Sequence, residues 1–287
     1  MKRTSYRVLF FMAVTIAVVV RVDPVSSRFL HQETMFTTPT VPADALAASL
    51  QVPDRNTTLQ KLKRANITSS LPPGALDSYK TESCIFAGDG LVTAKGIDVC
   101  TQGAMGVLMP SSAYLMVAVG KLRIIELINS EGSWRITATP AGTPAAPGQK
   151  TILEEGKSNA LKEQVAHSLI GLLRLLNVAS ESDLSHLKIA QTPSHIVVTW
   201  SEGASSNQFF FNRKGLLCDK QVRTTPVGVT VLKYGQYKSV KGVMLPYRIE
   251  MEGSSGKVAA VQVVQTWTLG ASWAPTFFTP DGVVGGS

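Results

Sequence analysis

Residues 234–251 read YGQYKSVKGVMLPYRIEM, and the second half of this stretch alternates. Val243, Leu245, Tyr247, Ile249 and Met251 fall on one face of an extended strand, and Met244, Arg248 and Glu250 on the other. The pattern predicts a hairpin folded about Gly242, whose missing side chain allows a turn's positive φ at little cost. Pro246 has no N–H to give a ladder and fits a strand start or a sheet edge better than a central position. Comparable runs recur at 78–87, 97–102, 113–119, 122–129 and 133–139, and again at 195–200, 208–212, 216–224, 227–237, 243–251 and 257–269. Turn residues such as Gly88-Asp89-Gly90, Gly120, Glu131-Gly132 and Arg213-Lys214-Gly215 separate them. Connections this short exclude parallel crossovers, so the pattern predicts roughly eleven antiparallel strands.

The period changes in the middle of the chain. Residues 140–149 (PAGTPAAPGQ) predict a flexible loop, after which Leu161, Val165, Leu169, Leu172, Leu173 and Leu176 recur at helical spacing, with Lys162, Glu163 and Arg174 on the opposite side. One amphipathic helix is expected here, inserted between two sets of strands as a core plug or as a lid. Upstream, 44–67 is weakly helical in two pieces separated by Pro53, and Pro72-Pro73-Gly74 ends that region. A large antiparallel meander must curl. The expected fold class is therefore mainly β (α+β): an incomplete, strongly curved antiparallel barrel with an inserted amphipathic helix and short N-terminal helices.

The first residues carry a different signal. Lys2, Arg3 and Arg7 precede an uncharged, mostly apolar run over 8–20, the pattern of a secretory signal, and a short one for a membrane span. Arg21 and Asp23 leave only Val25-Ser26-Ser27 as a cleavage site, so signal peptide and signal anchor both stand. No cysteine follows the run closely, which argues against a lipid-modified N-terminus. The layout expected is a signal or anchor over 1–27, a polar linker with a short helix over 28–54, one domain over 55–280 and a flexible tail over 281–287.

Composition narrows the chemistry. The formal charge is +8, and about +5 remains beyond the signal, with Lys and Arg scattered along strands, which excludes nucleic acid as an expected partner. Cys84, Cys100 and Cys218 are an odd set: a Cys84–Cys100 bridge leaving Cys218 unpaired and three buried thiols both fit. No C-x-x-C, and no spacing shared with His31, His167, His186 and His195, points to a metal, and no cofactor motif is present. The chain also lacks G-x-S-x-G, H-E-x-x-H and a P-loop, so an enzyme is not expected. His167 reads as a surface or lid histidine, and Asp183 with His186 as a helix start. The sequons at Asn56 and Asn66 matter only in a eukaryotic secretory pathway.

Several short motifs carry a resemblance. Gly132-Ser133-Trp134-Arg135 closes the first strand set, 211–217 reads FNRKGLL, and Tyr234-Gly235-Gln236-Tyr237 precedes Lys241-Gly242-Val243-Met244-Leu245-Pro246. Phe277-Phe278-Thr279-Pro280 ends the pattern. In this order, over roughly 55–280, the chain resembles the outer-membrane lipoprotein-sorting carriers, and most of all their divergent periplasmic relatives. The resemblance implies an exported, periplasmic protein of a Gram-negative-type bacterium, possessing a half-barrel whose apolar hollow takes the acyl chains of a lipid or lipoprotein under a helical lid, with a membrane-bound donor or acceptor protein as a further partner and the carrier itself a monomer. Inner-membrane anchoring through 8–20 is the alternative location. Burying an acyl chain releases ~0.8 kcal/mol per methylene, so binding needs no bond chemistry. Bulk and alternation nominate Trp134, Phe209, Phe211, Leu245, Tyr247, Ile249, Val263 and Trp267 as hollow-lining residues, faced by Leu169, Leu172 and Leu173. A signal-anchored structural or assembly protein, using the same sheet to bind a protein, is the competing expectation.

Overall fold

The computed structural model describes residues 7–10, 16–19, 54–68, 71–72, 74–87, 100–119, 122–138, 149–178, 183–203, 205–225, 228–252 and 256–285. The expected helix at 44–50, the Gly88-Asp89-Gly90 and Gly120 turns and the loop at 140–148 lie outside the described residues. Two short strands near the start, β1 (Arg7–Phe10) and β2 (Ile16–Val19), pair antiparallel in a sheet of their own. Among the described residues no helix is long and apolar enough to cross a membrane.

Helix α1 (Arg55–Asn66) starts where Asp54 accepts a hydrogen bond from the Thr57 amide at 3.1 Å, and buries Leu59 and Leu62. The first strand set follows: β3 (Ser78–Ala87), β4 (Thr101–Leu108), β5 (Ser112–Val119), β6 (Leu122–Ile128), β7 (Ser133–Ala138) and β8 (Gln149–Ile152). Helices α2 (Glu155–Ala166) and α3 (Leu169–Val178) and a 3-10 turn at Asp183–His186 interrupt the strands. The second set is β9 (Leu187–Gln191), β10 (His195–Glu202), β11 (Ser205–Asn212), β12 (Cys218–Thr225), β13 (Gly228–Val240), β14 (Val243–Glu252) and β15 (Val258–Leu269), with a final helix α4 (Pro280–Gly285).

The thirteen strands β3 to β15 form one antiparallel sheet in the order β8-β7-β6-β5-β4-β3-β15-β14-β13-β12-β11-β10-β9. Each set is a meander, and the sets join along the β3–β15 seam. The two ends of the sheet, β8 and β9, do not pair with each other, so the sheet curls without closing. The chain crosses from one end to the other through α2 and α3, which therefore lie against the inner face. The fold class read from the pattern holds, with strand β4 shifted from 97–102 to Thr101–Leu108 and two additional strands, β8 and β9, at the free edges. Both are short, which is why neither shows a clear alternation.

Two expectations of local structure change. The single helix is two, broken at His167-Ser168: the Ser168 hydroxyl caps α3 by accepting from the Gly171 amide at 3.1 Å, while α2 ends at His167. Gly171 permits the sharp joint, since a Cβ there would stand 1.9 Å from the Ala166 carbonyl oxygen. Pro246 sits inside β14, between β13 and β15. It is tolerated because the ladder to β15 runs only from Arg248 to Glu252, and the Pro246 carbonyl instead accepts from the Trp267 indole at 3.0 Å. The hairpin turn falls where expected, with Lys241 and Gly242 at φ 48° and 84°.

The last described stretch folds back over the outer face of β4 to β7, where Trp273, Phe277, Phe278 and Val283 pack with Tyr114, Ile125, Leu127 and Ile136. Cys84 and Cys100 form a disulfide, and Cys218 is a buried free thiol. Burial pushes that thiol's pKa well above its ordinary value.

Candidate functional site

Alternation along each strand sorts the side chains into an inner face, toward α2 and α3, and an outer face. The inner face is one continuous apolar surface. Tyr79, Val107 and Leu115 belong to it in the first strand set, and Val198, Phe209, Phe211 and Leu245 in the second. The helices complete it with Leu161, Val165, Leu169, Leu172, Leu173 and Leu176. Ile249 continues it along β14, where Met251, Leu232 and Val264 form a neighbouring patch against Tyr247, Tyr234 and Trp267.

Of the residues nominated from sequence, Leu169, Leu172, Leu173, Phe209, Phe211 and Leu245 meet in the main cluster, with Trp267 packed against it. Tyr247 and Ile249 lie on the same face in the neighbouring patch. Two residues are elsewhere. Trp134 packs in the outer cluster with the C-terminal aromatics, since its neighbour Arg135, not Trp134, points inward opposite Glu126. Val263 pairs with Arg248 and Cys84, which puts it on the outer face. A bulge between Val264 and Thr266 inverts the alternation, so Val263 and Trp267 face opposite ways although four residues apart.

Pattern reading missed the polar residues that hold the helices to this face. Gln221, fully inside, donates to the His167 carbonyl at 3.0 Å and to Asn207 at 3.0 Å, and accepts from the Tyr234 hydroxyl at 2.6 Å. Arg223 reaches the Ala160 carbonyl at 3.2 Å and Glu163 at 3.4 Å, and Ser205 donates to Glu163 at 3.0 Å. These strand residues hold α2 at its C-terminal half through hydrogen bonds, not apolar contact alone. The signal was present as polar residues at the alternate positions Gln221 and Arg223, where a core-facing strand is normally apolar.

His167 is the joint itself and is only 3 % exposed, so of the surface and lid positions expected for it the surface one does not hold. Its Nε2 lies 2.8 Å from a Glu202 carboxylate oxygen, its ring meets Trp200 edge-on at 4.4 Å, and Nδ1 has no partner. Burial lowers its pKa below the ordinary value, with the Glu202 carboxylate opposing that effect. His167 lines an open cleft of about 320 Å³ between the joint and the strand turns, with Lys162, Glu163 and Glu202 on one side and Ser111, Asn129 and Ser130 on the other. Among the described residues no cluster of three or more His, Cys, Asp or Glu side chains could hold a metal ion.

The solved structures similar to this chain include the following three. A LolA superfamily protein from Nitrosomonas europaea is 14% identical, with a TM-score of 0.46 over 79% of this chain and 97% of its own. An outer membrane lipoprotein-sorting protein domain from Vibrio parahaemolyticus is 8% identical, with a TM-score of 0.45 over 79% and 97%. A DUF1329 family protein from Desulfovibrio piger is 8% identical, with a TM-score of 0.42 over 78% and 95%. No family model and no curated protein matches the chain.

Proposed function

We propose that the chain is a non-enzymatic carrier of the cell envelope, exported to the periplasm, which holds the acyl chains of a lipid or lipoprotein against the inner face of its half-barrel. One observation carries this reading: the apolar inner face of an unclosed sheet is covered by a jointed pair of helices that also links the two unpaired edges. A closed core needs no joint. An element that breaks at His167-Ser168 and is fastened by exchangeable hydrogen bonds to Gln221, Ser205 and Arg223 supports a cover that moves aside for a ligand. The nine inward residues named above, from Leu169 to Trp267, are the surface that such a ligand would meet. A membrane-bound donor or acceptor protein and a monomeric carrier complete the proposal.

Native mass spectrometry of protein purified from membranes tests this directly. Acyl lipid co-purifying at a fixed stoichiometry, and lost in a Leu172→Asp/Leu173→Asp variant whose strands still give a cooperative unfolding transition, is the expected result. Repeated purification without lipid, in company with a partner protein, would instead favour an assembly role. That second reading has its own observation, since the free edge strand β8 presents Ile152 at 78 % exposure to any incoming strand.

A further inference from the structure

We propose that the cleft at the helix joint is a head-group site, selective for a lipid or acylated peptide that bears a primary ammonium group. The inference rests on the carrier reading above and specifies the polar end of the ligand. It starts from His167. Glu202 can only accept a hydrogen bond at neutral pH, so the imidazole nitrogen 2.8 Å from it, Nε2, carries the ring proton. Nδ1 is then a lone-pair acceptor, buried and without a donor. A buried acceptor without a donor is costly, and the group that satisfies it must bring an N–H or O–H.

The walls narrow the choice. Glu163 and Glu202 face the cleft against the single ammonium of Lys162, with Asn129 and Ser130 as neutral partners. Both carboxylates have partners already, Glu163 in Ser205 and Arg223 and Glu202 in His167, but a carboxylate has about four acceptor positions and neither is saturated by these. An anionic head group would meet two like charges, and a hydroxyl on it would offer Nδ1 only a neutral hydrogen bond while giving the carboxylates no opposite charge. A primary ammonium donates three hydrogen bonds, enough for the two carboxylates and, once a shift at the joint opens the buried Nδ1 to the cleft, for His167, while Lys162 remains for a phosphate or carbonyl oxygen attached to it. The volume, about 320 Å³, is at the small end of ligand pockets and suits a head group better than a whole lipid. The cleft also adjoins the apolar face, because His167 rests on Trp200, which packs against the main cluster.

The test compares dissociation constants of the full chain for single-chain amphiphiles of equal chain length: a lysophosphatidylethanolamine, the matching lysophosphatidylglycerol, and an acylated peptide with a free or an acetylated amino terminus. The amine-bearing probes are expected to bind about tenfold more tightly than their partners without the amine, a difference that one charge-assisted contact can supply. In Glu202→Gln, an isosteric replacement at the exposed last residue of β10, and in His167→Leu, the ratio within each probe pair is expected to fall to about one. Preference in only the lysophospholipid pair identifies a lipid head group, and in only the peptide pair an amino terminus. Equal binding within both pairs, or a preference that survives Glu202→Gln, overturns the head-group site while leaving the carrier standing. Binding of no amphiphile overturns the carrier reading and this site with it.

Discussion

At the scale of single residues, His167 combines burial, an unpartnered nitrogen and a charged neighbour, and the pH dependence of stability follows from them. Burial opposes the imidazolium and lowers the folded-state pKa, with Glu202 and more weakly Glu163 raising it and Arg223 lowering it further. The unfolded chain therefore takes up the proton first as pH falls. Stability is complete above the ordinary histidine value of about 6.5 and declines as pH drops through that value, until the folded state titrates too. Urea unfolding at pH near 7.5 and near 5.5 should show a larger loss of midpoint in the wild type than in His167→Gln, whose other titrating groups are the same. An equal loss in the two proteins would mean that Glu202 compensates burial in full. Gly171 and Ser168 are the other residues that make the joint. Neither was legible as such, since a serine and a glycine inside a leucine-rich helical repeat do not break its period; the break comes from a capping bond and a backbone approach that only the folded chain displays.

At the scale of elements, the inward apolar residues of α2 and α3 were legible because burial on one side imposes the 3.6-residue period wherever it occurs, and all six, five leucines and Val165, are buried as expected. What holds the helices was not, because Gln221, Ser205 and Arg223 come from strands whose pairing brings them under α2 from 40 or more residues away in the chain. Alternation likewise located Leu245 and Ile249 on the inner face but misplaced Val263, where a bulge removes the regularity on which such counting depends. Gln221 is the centre of the attachment, with three partners on three elements. Gln221→Leu leaves the His167 carbonyl and the Tyr234 hydroxyl without their partner, so it should loosen the cover before it unfolds the sheet. Amide hydrogen exchange over 161–176 is expected to accelerate about tenfold or more, with β5 and β14 unchanged. Uniform acceleration in every element would show that the helices and the sheet open as one unit.

At the scale of the whole molecule, the curled antiparallel sheet was legible because short connections permit no other pairing. The disulfide was one of two arrangements left open by three cysteines, and a Cα separation of 5.4 Å between Cys84 on β3 and Cys100 just ahead of β4 decides for the bridge. The division of labour between the faces was not visible, since Trp134 and Ile136 alternate with Arg135 as regularly as any core strand and the pattern does not say which side the helices take. The outer face of the first strand set is sealed by the chain's own end: Phe278, nearly fully buried, stands between Tyr114 and Trp273, and its carbonyl accepts from Asn129 at 2.8 Å. On the carrier proposal, the ligand-facing surface and this outer cluster lie on opposite sides of one sheet. Phe278→Ala should cost about 3 kcal/mol, the usual size for deleting a buried phenyl ring, through the outer cluster alone. Measured well below its lowered melting temperature, the folded variant should bind acyl ligand with wild-type affinity on the carrier proposal, because the deleted ring belongs to the outer cluster and not to the apolar cluster of the inner face. A matching loss of affinity would show that the two faces are coupled through β4 to β7, and that the sheet transmits the packing of its tail to the face beneath the helices.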